Sequence, residues 1–313
     1  MKKTVLCLLL ITLSIILCFG LTPTPTAPSA GDGSSGSPYQ ITSLQNLYWI
    51  AQNSGEWGKY YIQTANIDAT GTSGWDGGGW TPIGTFTGSY NGNGHTITGI
   101  TIDRTDAGGQ GLFASKGSGG TVSKLGVINA SITVSIGSWQ EDFGILAGSN
   151  NGTIEQCFTT GSITISGSAA DVGGFVGENH GVIIDNKKPI TNCYSKVEVR
   201  TTIYNTEHRY GSFVGYASSG SIGNCYSTGN INDSSYNSGF AGNYNSYVDN
   251  TSCFWHENSG ETSSISGTKK TIEEMKNATT TNNIYLTAGW DFKGETTNGT
   301  NEIWNIGNGR NDG

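Results

Sequence analysis

The sequence predicts an all-β fold, a right-handed parallel β-helix (a solenoid of the kind seen in pectin lyases) with a short N-terminal capping helix. The main observation is a repeated segment: Gly-apolar-apolar-x-Gly, a short polar gap, and then Cys followed by Phe or Tyr. Copies begin at Gly144, Gly173, Gly211 and Ser238, and a fainter one begins at Gly111. Repeats of about 20 to 50 residues are typical of solenoids, in which each unit buries its apolar face only against its neighbours.

Composition and alternation support the same fold. Gly accounts for 48 of 313 residues, and charged residues for only 13%. After Gly58, apolar residues fall on every second position, as in residues 95–102, which is the pattern of a β-strand. Each repeat divides at its glycines into three extended pieces, so we expect three strands per coil. Right-handed crossovers dominate between parallel strands, and we therefore expect a right-handed coil.

The chain before the repeats divides into three parts. Residues 1–20 have a basic start and an apolar run, which predict a signal peptide, with an uncleaved anchor as the alternative. Residues 21–37 are rich in Pro and Thr, then in Gly and Ser, and are expected to form a linker. Residues 38–110 should hold the N-terminal cap and the first coils.

Two helices are expected at the ends of the solenoid. Ser43 is a suitable N-cap, and Leu44, Leu47 and Ala51 follow at helical spacing, so a short amphipathic helix should begin here. The segment Thr271–Asn277 is the second expected helix. Both would cover open strand edges, which every solenoid must protect.

The repeats resemble the GLUG motif of bacterial and archaeal extracellular proteins. Asn192-Cys193-Tyr194 and Asn224-Cys225-Tyr226 match the Asn-Cys-Tyr ending of that motif, and Gln156-Cys157-Phe158 and Ser252-Cys253-Phe254 match it with Phe. The flanking segments are also similar, so the resemblance extends over residues 38–304. It implies a β-helix that is secreted or displayed on the cell surface, and it implies little about activity.

This resemblance also gives the remaining boundaries. Residues 111–260 form the GLUG-type repeat region, and residues 261–313 form a C-terminal coil and cap region. Related chains usually continue further, so we expect this last region to be cut short.

The cysteines Cys157, Cys193, Cys225 and Cys253 occupy equivalent positions of successive repeats. We expect them to stack inside the coil as a structural cysteine ladder. An oxidising compartment allows disulfides, but in-register parallel side chains point the same way, which separates their Cβ atoms. Two alternatives therefore stay open: four buried thiols, or one or two disulfides. Zinc is not supported, because no CxxC or paired His accompanies them.

No catalytic constellation stands out, so the sequence predicts no enzyme, no cofactor and no metal. Adjacent acids such as Glu141 and Asp142 are interpreted as a solvated edge, and His95 as part of a structural turn. His256-Glu257 lacks the second His of the HExxH motif, and no G-x-S-x-G elbow is present.

The sequence supports a binding surface better than it supports a catalytic site. Repeated hydroxyl residues on expected strands could align on consecutive coils as a flat face able to bind glycans or ice, although Thr also suits exposed strand positions for structural reasons. The formal charge of −8 and the lack of a basic cluster argue against nucleic acid as a partner. The candidate binding residues are Thr96, Thr98, Ser131, Thr133, Ser162 and Thr164.

The sequence thus predicts a secreted or cell-surface module for adhesion or structure. Its expected partners are glycans or extracellular surface proteins, with membrane attachment only through an uncleaved leader. The first alternative is a carbohydrate-active β-helix enzyme, either a polysaccharide lyase or a glycoside hydrolase. Clustered acids with perturbed pKa values in a cleft would favour it. The second alternative is an ice-binding protein.

Overall fold

The computed structural model describes residues 22–105, 108–136, 141–167, 170–181, 189–201, 209–232, 237–244, 250, 252–256, 264, 266–276, 283–293 and 303–304. The predicted signal peptide lies outside these residues.

The described chain is built mainly of short β-strands. They are β1 (Tyr39–Ile41), β2 (Tyr60–Gln63), β3 (Ile67–Asp68), β4 (Ile83–Phe86), β5 (Ser89–Asn91), β6 (Thr96–Thr98), β7 (Thr101–Arg104), β8 (Phe113–Lys116), β9 (Thr121–Ser123), β10 (Gly126–Ile136), β11 (Glu141–Gly144), β12 (Ala147–Asn150), β13 (Thr153–Glu155), β14 (Phe158–Gly167), β15 (Ala170–Gly173), β16 (Val176–Asn179), β17 (Ile190–Thr191), β18 (Tyr194–Thr201), β19 (Arg209–Gly211), β20 (Val214–Ala217), β21 (Ile222–Gly223), β22 (Tyr226–Ser227), β23 (Ile231–Asn232), β24 (Asn237–Ser238), β25 (Ala241–Tyr244), β26 (Phe254–His256) and β27 (Thr268–Lys270). The α-helices are α1 (Leu44–Gln52), α2 (Ile272–Lys276) and α3 (Ile284–Thr287), with 3-10 turns at Ser54–Glu56 and Thr70–Gly74.

The strands form four sheets, and neighbouring strands pair in parallel. The ten-stranded sheet has the order β27-β26-β22-β18-β14-β10-β6-β3, with β7 beside β10 and β23 beside β18. The six-, seven- and four-stranded sheets have the orders β25-β20-β16-β12-β8-β4, β1-β2-β5-β9-β13-β17-β21 and β11-β15-β19-β24. Consecutive strands thus pass from sheet to sheet, as in a parallel β-helix, and the predicted all-β architecture is confirmed.

A full coil contains four strands, whereas the sequence predicts three. The strands β11, β12, β13 and β14 lie in four different sheets, and β15 to β18 repeat this order one coil later. The additional strand ends at the first glycine of each repeat, Gly144 or Gly173. A sharp corner then separates it from the next strand.

The core consists of identical positions stacked from coil to coil. The rings of Phe175, Phe213 and Phe240 are fully buried, with centroids 4.7 and 4.8 Å apart and interplanar angles of 11° and 7°. Ile145 and Leu112 occupy the same position in the preceding coils and are also buried. The apolar anchors of the repeat therefore form one continuous core.

The second glycine of each repeat is required by close packing at the corner. A Cβ on Gly177 would lie 2.4 Å from the backbone nitrogen of Phe143, and one on Gly215 would lie 2.4 Å from that of Val172. Real Cβ atoms do not approach this closely. The glycine allows the six-stranded sheet to pack directly against the four-stranded sheet.

The residue before each repeat cysteine also has a special conformation. Gln156, Asn192 and Asn224 have φ angles of 54°, 56° and 53°. Asn adopts this left-handed conformation more readily than most residues, since its short side chain can hydrogen-bond locally. This geometry accounts for Asn in the Asn-Cys-Tyr ending.

At the N-terminal end, the predicted helix is present as α1. The Ser43 hydroxyl accepts a hydrogen bond from the Asn46 backbone nitrogen (3.3 Å), and Leu47 and Ile50 are buried. The preceding residues 22–37, predicted as linker, contact this helix: the Thr26 backbone nitrogen donates to the Gln45 carbonyl (3.1 Å). From Thr22 on, this segment lies against the folded domain.

At the C-terminal end, α2 lies within the predicted helix Thr271–Asn277. A capping box begins it, because Glu274 N donates to Thr271 Oγ1 (3.1 Å) and Thr271 N donates to Glu274 Oε2 (2.9 Å).

An aromatic ladder runs along the outer surface of the ten-stranded sheet. The rings of Phe158, Tyr194 and Tyr226 stack with centroids 4.9 and 5.0 Å apart and interplanar angles of 7°. A cluster from the C-terminal segment packs against Tyr226, with Trp290 at 6.3 Å and Trp304 at 5.9 Å. The C-terminal segment therefore covers part of the outer face of the coils.

A glycine substitution tests the packing at the corner. Gly177→Ala should destabilise the fold by about 1–3 kcal/mol, because its methyl group has no space beside Phe143. Gly55→Ala is the matched control, since a Cβ there meets nothing within 4 Å, and its effect should stay below about 0.5 kcal/mol. Urea unfolding followed by circular dichroism measures both. Equal stability of the two variants would contradict the packing argument.

Candidate functional site

The predicted hydroxyl residues divide into two groups in the structure. Ser131 lies opposite Ser162, and Thr133 lies opposite Thr164, on the adjacent strands β10 and β14. These four residues are called the hydroxyl face below. Thr133 is exposed and the other three are half-buried.

Thr96 and Thr98 do not join the hydroxyl face, so the expected alignment is wrong for them. They lie opposite Gly126 and Ile128 on β10. The partner of Ser131 on this side is Thr101 of β7. The cause is the division of this coil into β6 and β7, which both pair with β10.

Charged residues border the hydroxyl face on its C-terminal side. Glu198 lies opposite Ser162, and Arg200 lies opposite Thr164. The Arg200 guanidinium binds the Glu198 carboxylate at 2.5 Å, and Asn232 Nδ2 donates to the same carboxylate at 2.6 Å. The hydroxyl row thus ends at an ion pair on β18.

The four repeat cysteines form a ladder of buried thiols. Each is at most 1% exposed, and none is in a disulfide. The backbone N–H of Cys157 donates to Cys193 Sγ (3.4 Å), and that of Cys193 donates to Cys225 Sγ (3.4 Å). Burial raises the pKa of the Cys157, Cys193 and Cys225 thiols well above the ordinary value. They are therefore neutral and poorly reactive packing groups.

The structure also contains a polar cluster that the sequence interpretation missed. Carboxylate oxygens of Asp142, Asp171 and Glu178 all lie within 4.8 Å of one another. We call these three residues the acid cluster. Asp142 and Asp171 are partners on β11 and β15, and Glu178 comes from β16 of the neighbouring sheet. The interpretation of Asp142 as a solvated edge is wrong, since its side chain lies at the corner between two sheets.

Arg209 neutralises part of this charge. It lies opposite Asp171 on the next strand, and its Nε and Nη2 atoms donate to the two carboxylate oxygens, both at 2.5 Å. The guanidinium carbon also lies 3.6 Å from the ring centroid of Tyr216. Bidentate pairing and stacking together fix the arginine in one orientation.

His180 and Ser218 extend the cluster along the next row. His180 Nε2 lies 2.9 Å from Glu178 Oε2, and His180 Nδ1 lies 2.6 Å from Ser218 Oγ. The side chain of His180 is 41% exposed, whereas that of Glu178 is 15% exposed. The imidazole therefore bridges a carboxylate and a hydroxyl at the protein surface.

Burial raises the pKa of both aspartates in the acid cluster. It raises the pKa of Asp142 to about 8, with a further contribution from the charges of Glu178 and Asp171. Burial also raises the pKa of Asp171 to about 6, although Arg209 opposes this shift. At neutral pH Asp142 carries a proton, and the cluster holds a protonated acid beside an ionised one.

The acid cluster has oxygen ligands of the kind that Ca²⁺ prefers. Arg209 already binds both oxygens of Asp171, however, and a cation would have to compete with it. The geometry therefore favours a charge-balanced polar site over a metal centre.

Aligning the repeats on their glycines would have revealed this site. Asp142, Asp171 and Arg209 each lie two residues before the first glycine of their repeat, and Glu178 and Tyr216 each follow the second glycine. When coils stack in register, residues that occupy the same position in successive repeats become neighbours.

Thiol titration tests the cysteine ladder. A chain starting at Thr22 contains only the four repeat cysteines. Without reductant, it should show four reactive thiols after unfolding in guanidinium and almost none when folded, because burial shields them. Two or fewer thiols after unfolding would show that disulfides form.

The pH dependence of stability tests the acid cluster. Because the pKa of Asp142 is raised above its ordinary value of 3.8 to about 8, the folded state keeps a proton that the unfolded state releases. The contribution of this proton to the free energy of unfolding is fully present below about pH 4 and is lost as the pH rises to about 8. Asp142→Asn should remove it, so the variant should gain stability relative to the parent chain between about pH 5 and 8. Urea unfolding at several pH values measures this, with Asp103→Asn on the exposed side of β7 as control. Parallel curves for the parent and Asp142→Asn would refute the argument.

The described residues include no helix that is long and apolar enough to cross a membrane. Comparison with known structures supports the fold. The chain is similar to the crystal structure of a Bacteroides ovatus protein named as an immunoglobulin A1 protease, with a TM-score of 0.56 and 21% identity. The alignment covers 82% of this chain and 89% of that one. At this level of identity the similarity concerns the fold alone.

Sequence comparisons match parts of two longer proteins. The chain is 41% identical to halomucin of Haloquadratum walsbyi over 161 residues, which are 49% of this chain and 2% of halomucin. It is 36% identical over 131 residues to a protein of Evansella cellulosilytica named as a Gly-rich membrane protein, covering 41% of this chain and 15% of that protein. The chain thus spans a small part of these relatives. The family model of the GLUG motif matches residues 206–232. The chain is therefore a protein that carries the GLUG motif, as its repeats indicate.

Proposed function

We propose that this chain is a rigid module displayed outside the cell, which binds glycans or extracellular surface proteins through the hydroxyl face. The observation that carries the proposal is the register of β10 and β14, which places Ser131 beside Ser162 and Thr133 beside Thr164. Hydroxyl groups both donate and accept hydrogen bonds, and here they are held on a rigid sheet at one strand spacing, about 4.8 Å. Such an array suits a polymer of repeating polar groups.

An extracellular location is supported by the relatives. The two relatives are named halomucin and a Gly-rich membrane protein, and this chain matches short parts of both. The basic and apolar start of the chain is consistent with export. We infer that the module acts as one unit of a longer surface assembly or as a spacer within it.

We also propose that the coil is right-handed. Parallel strands joined by crossovers have this hand in about 98% of cases. The hand determines which neighbouring face follows the hydroxyl face along the coil.

Ice binding is less well supported than glycan binding. An ice-binding face should be flat and uncharged, whereas the Glu198–Arg200 pair borders the row directly. Thermal hysteresis is the observation that would favour it.

Glycan binding is tested on an array of immobilised glycans and matrix proteins. The double substitution Thr133→Val and Thr164→Val keeps the shape of the side chains and removes two hydroxyls, so binding should weaken by about tenfold, as the loss of about 1.4 kcal/mol would give. Thr85→Val is the control, because Thr85 is an exposed strand residue of a different sheet. A heat-unfolded sample should not bind. Equal binding by the double variant and the control would place the contact elsewhere.

The acid cluster favours a second candidate, a carbohydrate-active enzyme. A protonated Asp142 could donate a proton to a glycosidic oxygen, and Glu178 would be the second carboxyl group of the pair. Their oxygens lie within 4.8 Å, a separation closer to that of retaining than of inverting glycosidases, which need about 6.5–9.5 Å.

A panel of polysaccharides tests this second candidate, with release of reducing ends as readout. Asp142→Asn should abolish the release, since the amide cannot donate the proton, while the hydroxyl-face double variant should keep the catalytic rate constant. If no polysaccharide that binds on the array releases reducing ends, the enzyme candidate is wrong.

A further inference from the structure

His180 connects a hydroxyl and a carboxylate in the order that nucleophilic catalysis requires. Ser218 Oγ lies 2.6 Å from His180 Nδ1, and Glu178 Oε2 lies 2.9 Å from His180 Nε2. Both distances fall in the range of about 2.6–3.2 Å expected for a nucleophile, its general base and the group that orients the base. We propose that Ser218, His180 and Glu178 form a nucleophilic site that accepts acyl groups from esters.

The fold builds this arrangement from two adjacent coils. Glu178 and His180 are two residues apart along an extended segment, so their side chains lie on the same side. The partner strands β16 and β20 place Asn179 opposite Ala217, which brings the following residues, His180 and Ser218, side by side. The three groups are thus positioned by in-register pairing.

The site is open to a reagent from solvent. The His180 side chain is 41% exposed, and Ser218 is half-buried. The Ser218 hydroxyl also lies 3.3 Å from the Asn179 carbonyl, a longer contact than the one to His180. A small ester can therefore approach the hydroxyl while the imidazole remains in place.

The proposed chemistry is acyl transfer. As Ser218 Oγ attacks the ester carbonyl carbon, its proton passes to His180 Nδ1. Collapse of the tetrahedral intermediate breaks the bond to the alcohol oxygen, which takes the proton from His180. Water then attacks the acyl-serine by the same route, releases the carboxylic acid and restores the Ser218 hydroxyl.

The surroundings define the class of substrate. The carboxylates of Glu178 and Asp171 stabilise the imidazolium that forms during attack and disfavour anionic substrates. The backbone N–H groups of Ser218 and Ser219 both donate to the Asn179 carbonyl, at 3.1 and 3.3 Å, so neither is free to stabilise an oxyanion. We therefore expect reaction with neutral, activated esters, and not with amides.

This inference does not depend on glycan binding or on glycosidic cleavage. It assigns the nucleophile and the general base to Ser218 and His180, shares only Glu178 with the glycosidase candidate, and concerns a different bond. Failure of the glycan array or of the polysaccharide panel would leave it unaffected, and the converse also holds.

The test is labelling of the full chain with a fluorophosphonate, followed by peptide mass spectrometry, and a burst assay with p-nitrophenyl acetate. The expected adduct is on Ser218. His180→Gln should slow labelling by about 100-fold, because the general base is lost. Glu178→Gln should slow it less, and Glu178→Asp should restore part of the rate, as expected for a positioning residue. Ser149→Ala is the control, since Ser149 lies on the same sheet and its hydroxyl contacts Ser115 Oγ (3.0 Å).

Circular dichroism of each variant checks that it folds. Loss of the adduct in Ser218→Ala, with labelling unchanged in Ser149→Ala, would support the proposal. No adduct on Ser218, or equal labelling of folded His180→Gln and the parent chain, would overturn it.

Discussion

In-register stacking of parallel coils is the constraint on which the rest of the structure depends. Each strand lies one strand spacing from its equivalent in the next coil, so residues at one repeat position become direct neighbours. The buried row of Phe175, Phe213 and Phe240 is the apolar result of this rule. The second glycines, such as Gly177, allow the corner that closes each coil. Without that corner the polar groups of two sheets would not meet.

The same rule explains what could be predicted from the sequence. The repeat predicts the parallel coils, the buried anchors and the cysteine ladder, because each depends only on which residues occupy one column. The first helix follows from local rules, since Ser43 and the apolar spacing after it do not need the rest of the fold. These features are local or strictly periodic, and both kinds of signal are present in a single sequence.

Other features depend on details that one repeat does not contain. The strands of the four-stranded sheet do not stand out in the sequence, because β15 and β19 are short and carry polar residues such as Asp171 and Arg209. The expected alignment of Thr96 and Thr98 is wrong because their coil divides into β6 and β7, and it is Thr101 of β7 that lies opposite Ser131. The acid cluster needs two sheets to meet at a corner, and no linear pattern encodes that approach. Only alignment of the columns would have indicated it.

The outer aromatic ladder has a mechanical consequence. The C-terminal aromatic residues pack against Tyr226, and Trp304 Nε1 reaches Asn192 Oδ1 (3.4 Å), which lies one coil before Tyr226. This contact joins residues 112 positions apart. Separating the last coils therefore also requires breaking these aromatic contacts and the hydrogen bond from Trp304 to Asn192. The C-terminal segment thus joins two successive coils across their outer face.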